Sequence, residues 1–132
     1  MSEWRIISPA PRSAALEVGG PFAKVRKGVL AQVRNYESAA VYHGDTALVV
    51  AMFARHGWRR LEMALALSRA AAPHMLRLIR LAQLTLPRIA ETHLIVVYIR
   101  PSNAIGQRMA RLAGFRRARV KNAGLWVFDG ES

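Results

Sequence analysis

Histidine, serine, cysteine and the carboxylates would carry acid–base, nucleophilic or metal chemistry, and in these 132 residues they are sparse and scattered. His43, His56, His74 and His93 fall in four separate segments with no i, i+4 pair, so their spacing offers no ready zinc site. Ser8, Ser13, Ser38, Ser68 and Ser102 lack the Gly-x-Ser-x-Gly context that holds a nucleophilic hydroxyl on a strained elbow. The absence of cysteine excludes a thiol nucleophile, a Cys-based zinc site and a disulfide scaffold, and fits a reducing cytosol. No Gly-x-Gly-x-x-Gly or Gly-x-x-x-x-Gly-Lys phosphate loop occurs.

Positive charge is abundant instead. Twenty Lys and Arg stand against eight Asp and Glu, a formal net charge of +12. Such an excess suits an anionic partner: nucleic acid, an acidic protein surface or the phosphates of a cofactor. The basic residues are nevertheless spread along the whole chain, and Arg outnumbers Lys seventeen to three beside twenty-two Ala, as in a GC-rich coding sequence. No Lys/Arg block of five, zinc-finger spacing or RNA-recognition motif concentrates the charge. An apolar fraction of 52% excludes general disorder, and the length bounds the chain to one domain, 1–132. No apolar run approaches a membrane span and no secretory signal is expected, which favours a cytoplasmic protein.

The elements that must position any site follow from periodicity. Trp4 to Ser8 alternates as a short strand, and residues 9–21, punctuated by Pro9, Pro11, Gly19 and Gly20, read as loop with at most one helical turn around Ser13 to Val18. Phe22 to Tyr36 has helical spacing with a basic outer face. Ala39 to His43 and Thr46 to Ala54 form a hairpin over Gly44-Asp45, and Arg60 to Leu67 adds a strand with Leu61, Met63, Leu65 and Leu67 on one face. Ser68 to Ala72 links to a helix from Pro73 to about Leu86, which Pro87 bends or ends. Its inward set is Met75, Leu78, Ile79, Ala82 and Leu86.

Thr92 to Arg100 is a buried strand rich in β-branched residues. The following helix has Ser102 as N-cap, Ile105, Met109 and Leu112 as its apolar face, and Gly114 as a left-handed C-cap. Arg116 to Lys121 and Leu125 to Asp129 close the chain as a strand pair. The order gives an α/β (α+β) domain: a mixed central sheet of about six to seven strands with helices on both faces.

Asn103, followed eleven and twelve residues later by Gly114 and Phe115 after a strand of this kind, resembles the closing signature of the GNAT superfamily of N-acetyltransferases, Asn-x(10)-Gly-Phe. Arg108 matches a common subgroup pattern. The resemblance covers about Ala39 to Asp129, while the region before residue 39 looks shortened. It implies transfer of an acetyl group from acetyl-CoA to a small-molecule or protein amine, with the cofactor lying where two central strands splay.

In that family the pyrophosphate rests on backbone N–H groups of an Arg/Gln-x-x-Gly-x-Gly/Ala loop at a helix start, where unpaired donors and the helix dipole favour an anion. The equivalent segment here is Arg69-Ala70-Ala71-Ala72-Pro73-His74, after Leu67. The leading Arg is kept, both glycines are absent and Pro73 removes a donor. The resemblance therefore makes Leu67, Arg69, Ala70, Ala71, Ala72, His74, Asn103 and Arg108 the expected cofactor contacts. Glu62, the one carboxylate on its strand, is the expected base, with a surface charge paired to Arg59 or Arg60 as its structural alternative. The usual acid, a Tyr seven residues after the Asn, is replaced by Ala110. Tyr98 is the stand-in, or else a core tyrosine.

Compact chains of this pattern also resemble GNAT-like proteins of phage virion gene clusters. That likeness implies a second class, a catalytically inactive fold serving as a virion assembly component or basic binding module toward acidic proteins or DNA. Homo-oligomer formation and the acceptor stay open.

Overall fold

The computed structural model describes residues 3–19, 27, 37–119 and 124–128. The described strands are β1 (Trp4–Ile7), β2 (Glu37–His43), β3 (Thr46–His56), β4 (Arg60–Leu67), β5 (Leu94–Tyr98), β6 (Phe115–Arg117) and β7 (Leu125–Phe128). They form one seven-stranded sheet in the order β1-β2-β3-β4-β5-β7-β6. It is mixed as expected, because β4 and β5 run parallel while β1–β2, β2–β3, β5–β7 and β6–β7 pair antiparallel. The described helices are α1 (Arg12–Val18), α2 (Met75–Ala90) and α3 (Ala104–Ala113), with a 3₁₀ segment at Arg69–His74 leading directly into α2. The basic helix expected at Phe22 to Tyr36 lies outside the described residues, Lys27 apart.

The chain divides into two compact units. The first comprises Met1–Ala54 and Ala64–His74, and the second Arg55–Met63 and Met75–Ser132. In the first, Ala14, Ala15 and Val18 of α1 bury against Ala40, Tyr42, Ala47, Val50 and Met52 of β2 and β3. The loop expected over 9–21 therefore contains seven residues of helix. Its prolines and glycines flank the helix, and Pro11 takes the N-cap position. Buried Ser38 ties down the chain before it, accepting the Ala10 N–H at 2.9 Å, and the Glu17 carboxylate at its other end accepts the Ala47 N–H. A register shift at Val41/Tyr42 bends the β2–β3 ladder.

The second unit carries the parallel pair, with Arg60, Leu61, Glu62 and Met63 opposite Leu94, Ile95, Val96 and Val97. Beyond Met63, β4 belongs to the first unit, and its covered face changes. Leu61 and Met63 are buried, but Leu65 and Leu67 on their side are exposed, while Ala64 and Ala66 opposite them pack on the first unit's core. The expected single apolar face thus holds only for the first half of the strand.

In α2 the inward set is as expected, with Leu78 and Leu86 buried. Pro87 does not end this helix, which continues to Ala90. The proline lies exposed in the last turn, where the missing bond affects little of the helix, and half-buried Ile89 extends the inward face beyond it.

In α3 the expected face is corrected. Ile105 and Leu112 are exposed, at 75% and 47%, and buried Ala110 lies between half-buried Gly106, Met109 and Ala113. The helix packs on α2 and β6, and its largest apolar side chains are not the inward ones. The last strand pair is present, but β6 is shorter than the expected Arg116 to Lys121: it runs from Phe115 to Arg117, Ala118 and Arg119 lie outside it, and its register sets Phe115 opposite Phe128. Trp126 is 1% exposed beneath the guanidinium groups of Arg111 and Arg117.

Candidate functional site

Within the second unit, the parallel register decides which side chains share a surface. Side chains alternate along a strand, so Arg60 and Glu62 project to the same face as Leu94, Val96 and Tyr98. Arg60 Nη2 donates to Tyr98 Oη at 3.3 Å, and Tyr98 is 49% exposed. It is therefore not the core tyrosine that its strand suggested. The Glu62 carboxylate lies 3.7 Å from His56 Nε2, with both side chains partly exposed. Its partner is thus the histidine at the end of β3 rather than Arg59 or Arg60, because Arg60 is held by Tyr98 and Arg59 turns back over the Trp58 ring at 5.1 Å.

Within the first unit, the expected phosphate segment is helical from Arg69 onward. The Ser68 N–H donates to Leu48 O and the Ala71 N–H to Ser68 O, while Ala71 is buried. The first N–H groups of a helical run have no acceptor within it. Here those are Arg69 and Ala70, whose side chains are exposed along with Ala72. Ser68 Oγ is buried without a hydrogen-bond partner among the described residues. The His74 ring is packed edge-on against Trp4 at 5.5 Å and tilted over His43 at 4.4 Å.

This aromatic cluster was not apparent from the spacing of the histidines. It arises because β1 sets Trp4 opposite His43 and the end of the 3₁₀ segment brings His74 to both. No group of three or more His, Asp or Glu side chains that could hold a metal occurs among the described residues.

In α3, Asn103 and not Ser102 is the N-cap, its Oδ1 accepting the Gly106 N–H at 2.9 Å. Gln107 secures the preceding turn through Pro101 O at 2.8 Å and accepts from Arg117 Nη2 at 2.9 Å. Arg108 is exposed on the same helix. Glu62, Tyr98, Asn103 and Arg108 thus belong to the second unit, and Leu67 and Arg69 to His74 to the first.

No protein-family model matches the chain, and no curated protein matches its sequence. Solved structures match its fold across nearly the whole length. A protein from Desulfovibrio desulfuricans, assigned to the GNAT family as an acetyltransferase, superposes with a TM-score of 0.74 at 13% identity, covering 98% of this chain and 100% of that one. An N-acetyltransferase from Staphylococcus aureus gives 0.63 at 14% identity over 96% and 95% of the two chains. The Campylobacter jejuni N-acetyltransferase PseH, in complex with acetyl coenzyme A, gives 0.62 at 9% identity over 95% and 96%. The fold is that of the GNAT superfamily.

Proposed function

We propose that the chain is an acetyl-CoA-dependent N-acetyltransferase acting on an amine. The observation that carries this reading is the parallel pairing of β4 with β5, on whose common face Glu62 stands 3.7 Å from His56 and Tyr98 accepts a hydrogen bond from Arg60. The similarity to acetyltransferase folds supports it, and gives the virion alternative no support.

The residues at the helix start fit a phosphate. Arg69 and Ala70 supply backbone N–H groups at the positive end of a helical run, the Arg69 side chain supplies charge, and the alanines at 70 and 72 leave the approach open. The orphaned Ser68 hydroxyl adds a polar group beside them. The donor set is smaller than that of a glycine loop, since Pro73 has no N–H and the Ala71 N–H is already used. Leu67 and His74 would flank the cofactor in this reading. Bound acetyl-CoA supplies the activated acetyl thioester.

Glu62 takes the proton that the amine loses on attack, directly or through one water, and His56 holds the carboxylate in orientation. Tyr98 Oη accepts from Arg60, so its own hydrogen remains available for the departing sulfur. Calorimetric titration with acetyl-CoA tests the reading, with micromolar binding expected in the wild type and its loss in Ala72→Glu, which sets a carboxylate where the phosphates would lie. No binding to the wild type would end it.

A further inference from the structure

Trp58 is 88% exposed, the highest value for any large apolar residue described. It occupies the turn between β3 and β4, where Gly57 adopts a φ of +70° that reverses the chain. The Arg59 guanidinium, stacked 5.1 Å from the ring centroid, orients the indole on the protein surface. Around it, residues 55–60 read Arg-His-Gly-Trp-Arg-Arg, with Arg55 and His56 ending β3 and Arg60 opening β4. Two carboxylates stand near these strand ends, Glu62 at 3.7 Å from His56 and Glu37 opposite Phe53, against three arginines.

A flat aromatic face bordered by guanidinium groups matches the chemistry of a nucleobase and its flanking phosphates. The turn has no second apolar side chain to enter a lipid layer beside Trp58. A second copy of a chain with net charge +12 would be repelled from so basic a turn.

We propose that the β3–β4 turn is a contact site for single-stranded nucleic acid, with a base stacked on Trp58 and phosphates held by Arg59 and Arg60. The site shares Arg60 with the acetyl-transfer reading, but it rests on Trp58 and Arg59 and stands whether or not that reading does.

The test uses the full chain and a fluorescently labelled twelve-residue oligo-dT, with binding followed by anisotropy. Binding should weaken with salt, with a slope of log K on log salt of roughly −1.4 for about two phosphate contacts. Trp58→Ala should weaken it at least ~5-fold, the lower end of what one stacked base contributes, and Trp58→Tyr should restore most of the affinity. Both variants should keep the wild-type affinity for inorganic polyphosphate. Arg59→Glu should weaken both ligands, which supplies a second variant at an exposed position. Equal affinity of wild type and Trp58→Ala for the oligonucleotide would overturn the proposal. So would displacement of the oligonucleotide by equimolar adenosine monophosphate, or binding confined to phosphatidylserine vesicles or to an acidic peptide.

Discussion

Arg60 and Tyr98, 38 residues apart in sequence, are joined across the parallel strands by a hydrogen bond of 3.3 Å from Nη2 to Oη. The bond fixes which way the phenolic hydrogen can point, since the oxygen's acceptor side is taken. Replacing Tyr98 by Phe removes the proton donor and keeps the ring. We expect kcat for acetyl transfer to fall by ~100-fold, the lower end of what general acid catalysis contributes, with acetyl-CoA affinity unchanged. Steady-state kinetics beside calorimetry checks this, and a loss of cofactor affinity with kcat intact would assign Tyr98 to binding instead.

Glu62→Gln keeps the shape of the side chain and removes its basicity. The expected result is a fall in kcat of ~100-fold or more. His56→Ala should cost under ~10-fold, since it only orients the carboxylate. The partly exposed contact itself contributes at most about 1 kcal/mol, so neither variant should move the urea midpoint appreciably. Activity in Glu62→Gln within a factor of two of wild type would remove the carboxylate from the mechanism.

The cap of α3 separates two adjacent residues that the sequence leaves nearly equivalent. Asn103 makes the capping bond to Gly106 N–H, so Asn103→Ala should destabilise the fold by about 1 kcal/mol while Ser102→Ala is close to neutral. Urea denaturation of the two variants would show it. The reverse order of effects would restore Ser102 as the cap.

These contrasts mark what was legible in the sequence. The strands from β2 to β5 were, because apolar residues alternate along β4 and run almost without a break through β3 and β5, and Gly44 and Gly57 mark the turns, both with positive φ. The Asn103 to Phe115 unit was legible through its spacing. The α1 helix was hidden, since Pro9, Pro11, Gly19 and Gly20 read as loop while the burial that sustains the helix comes from Ala14, Ala15 and Val18, two of them weakly apolar. The inward side of α3 was misread for a related reason: its buried residue is the weakly apolar Ala110, and Gly106 beside it is kept small by the capping Asn103 side chain, which a Cβ there would meet at 2.5 Å.

At the candidate site, Glu62 could be singled out as the lone carboxylate on its strand. Its partner could not, nor could the packing of His74 on Trp4 and His43. Both depend on strand register, which is set by pairing between distant segments rather than by local composition.

Gly114 combines two constraints at one atom. Its φ of +111° closes α3 in the left-handed region, where an L side chain is strained, and a Cβ built there would meet Cε2 of Phe128 at 2.7 Å. Phe128 cannot easily yield, because it is buried and packed edge-on against Phe115 at 5.4 Å. Gly114→Ala should therefore cost about 2 kcal/mol or more, the backbone and overlap terms adding. Adding Phe128→Leu should relieve only the steric part, so the double variant should be less destabilised than the sum of the two single ones. Thermal unfolding of the four proteins measures this coupling. Strict additivity would mean that the ring moves aside and that the glycine is needed for its backbone conformation alone.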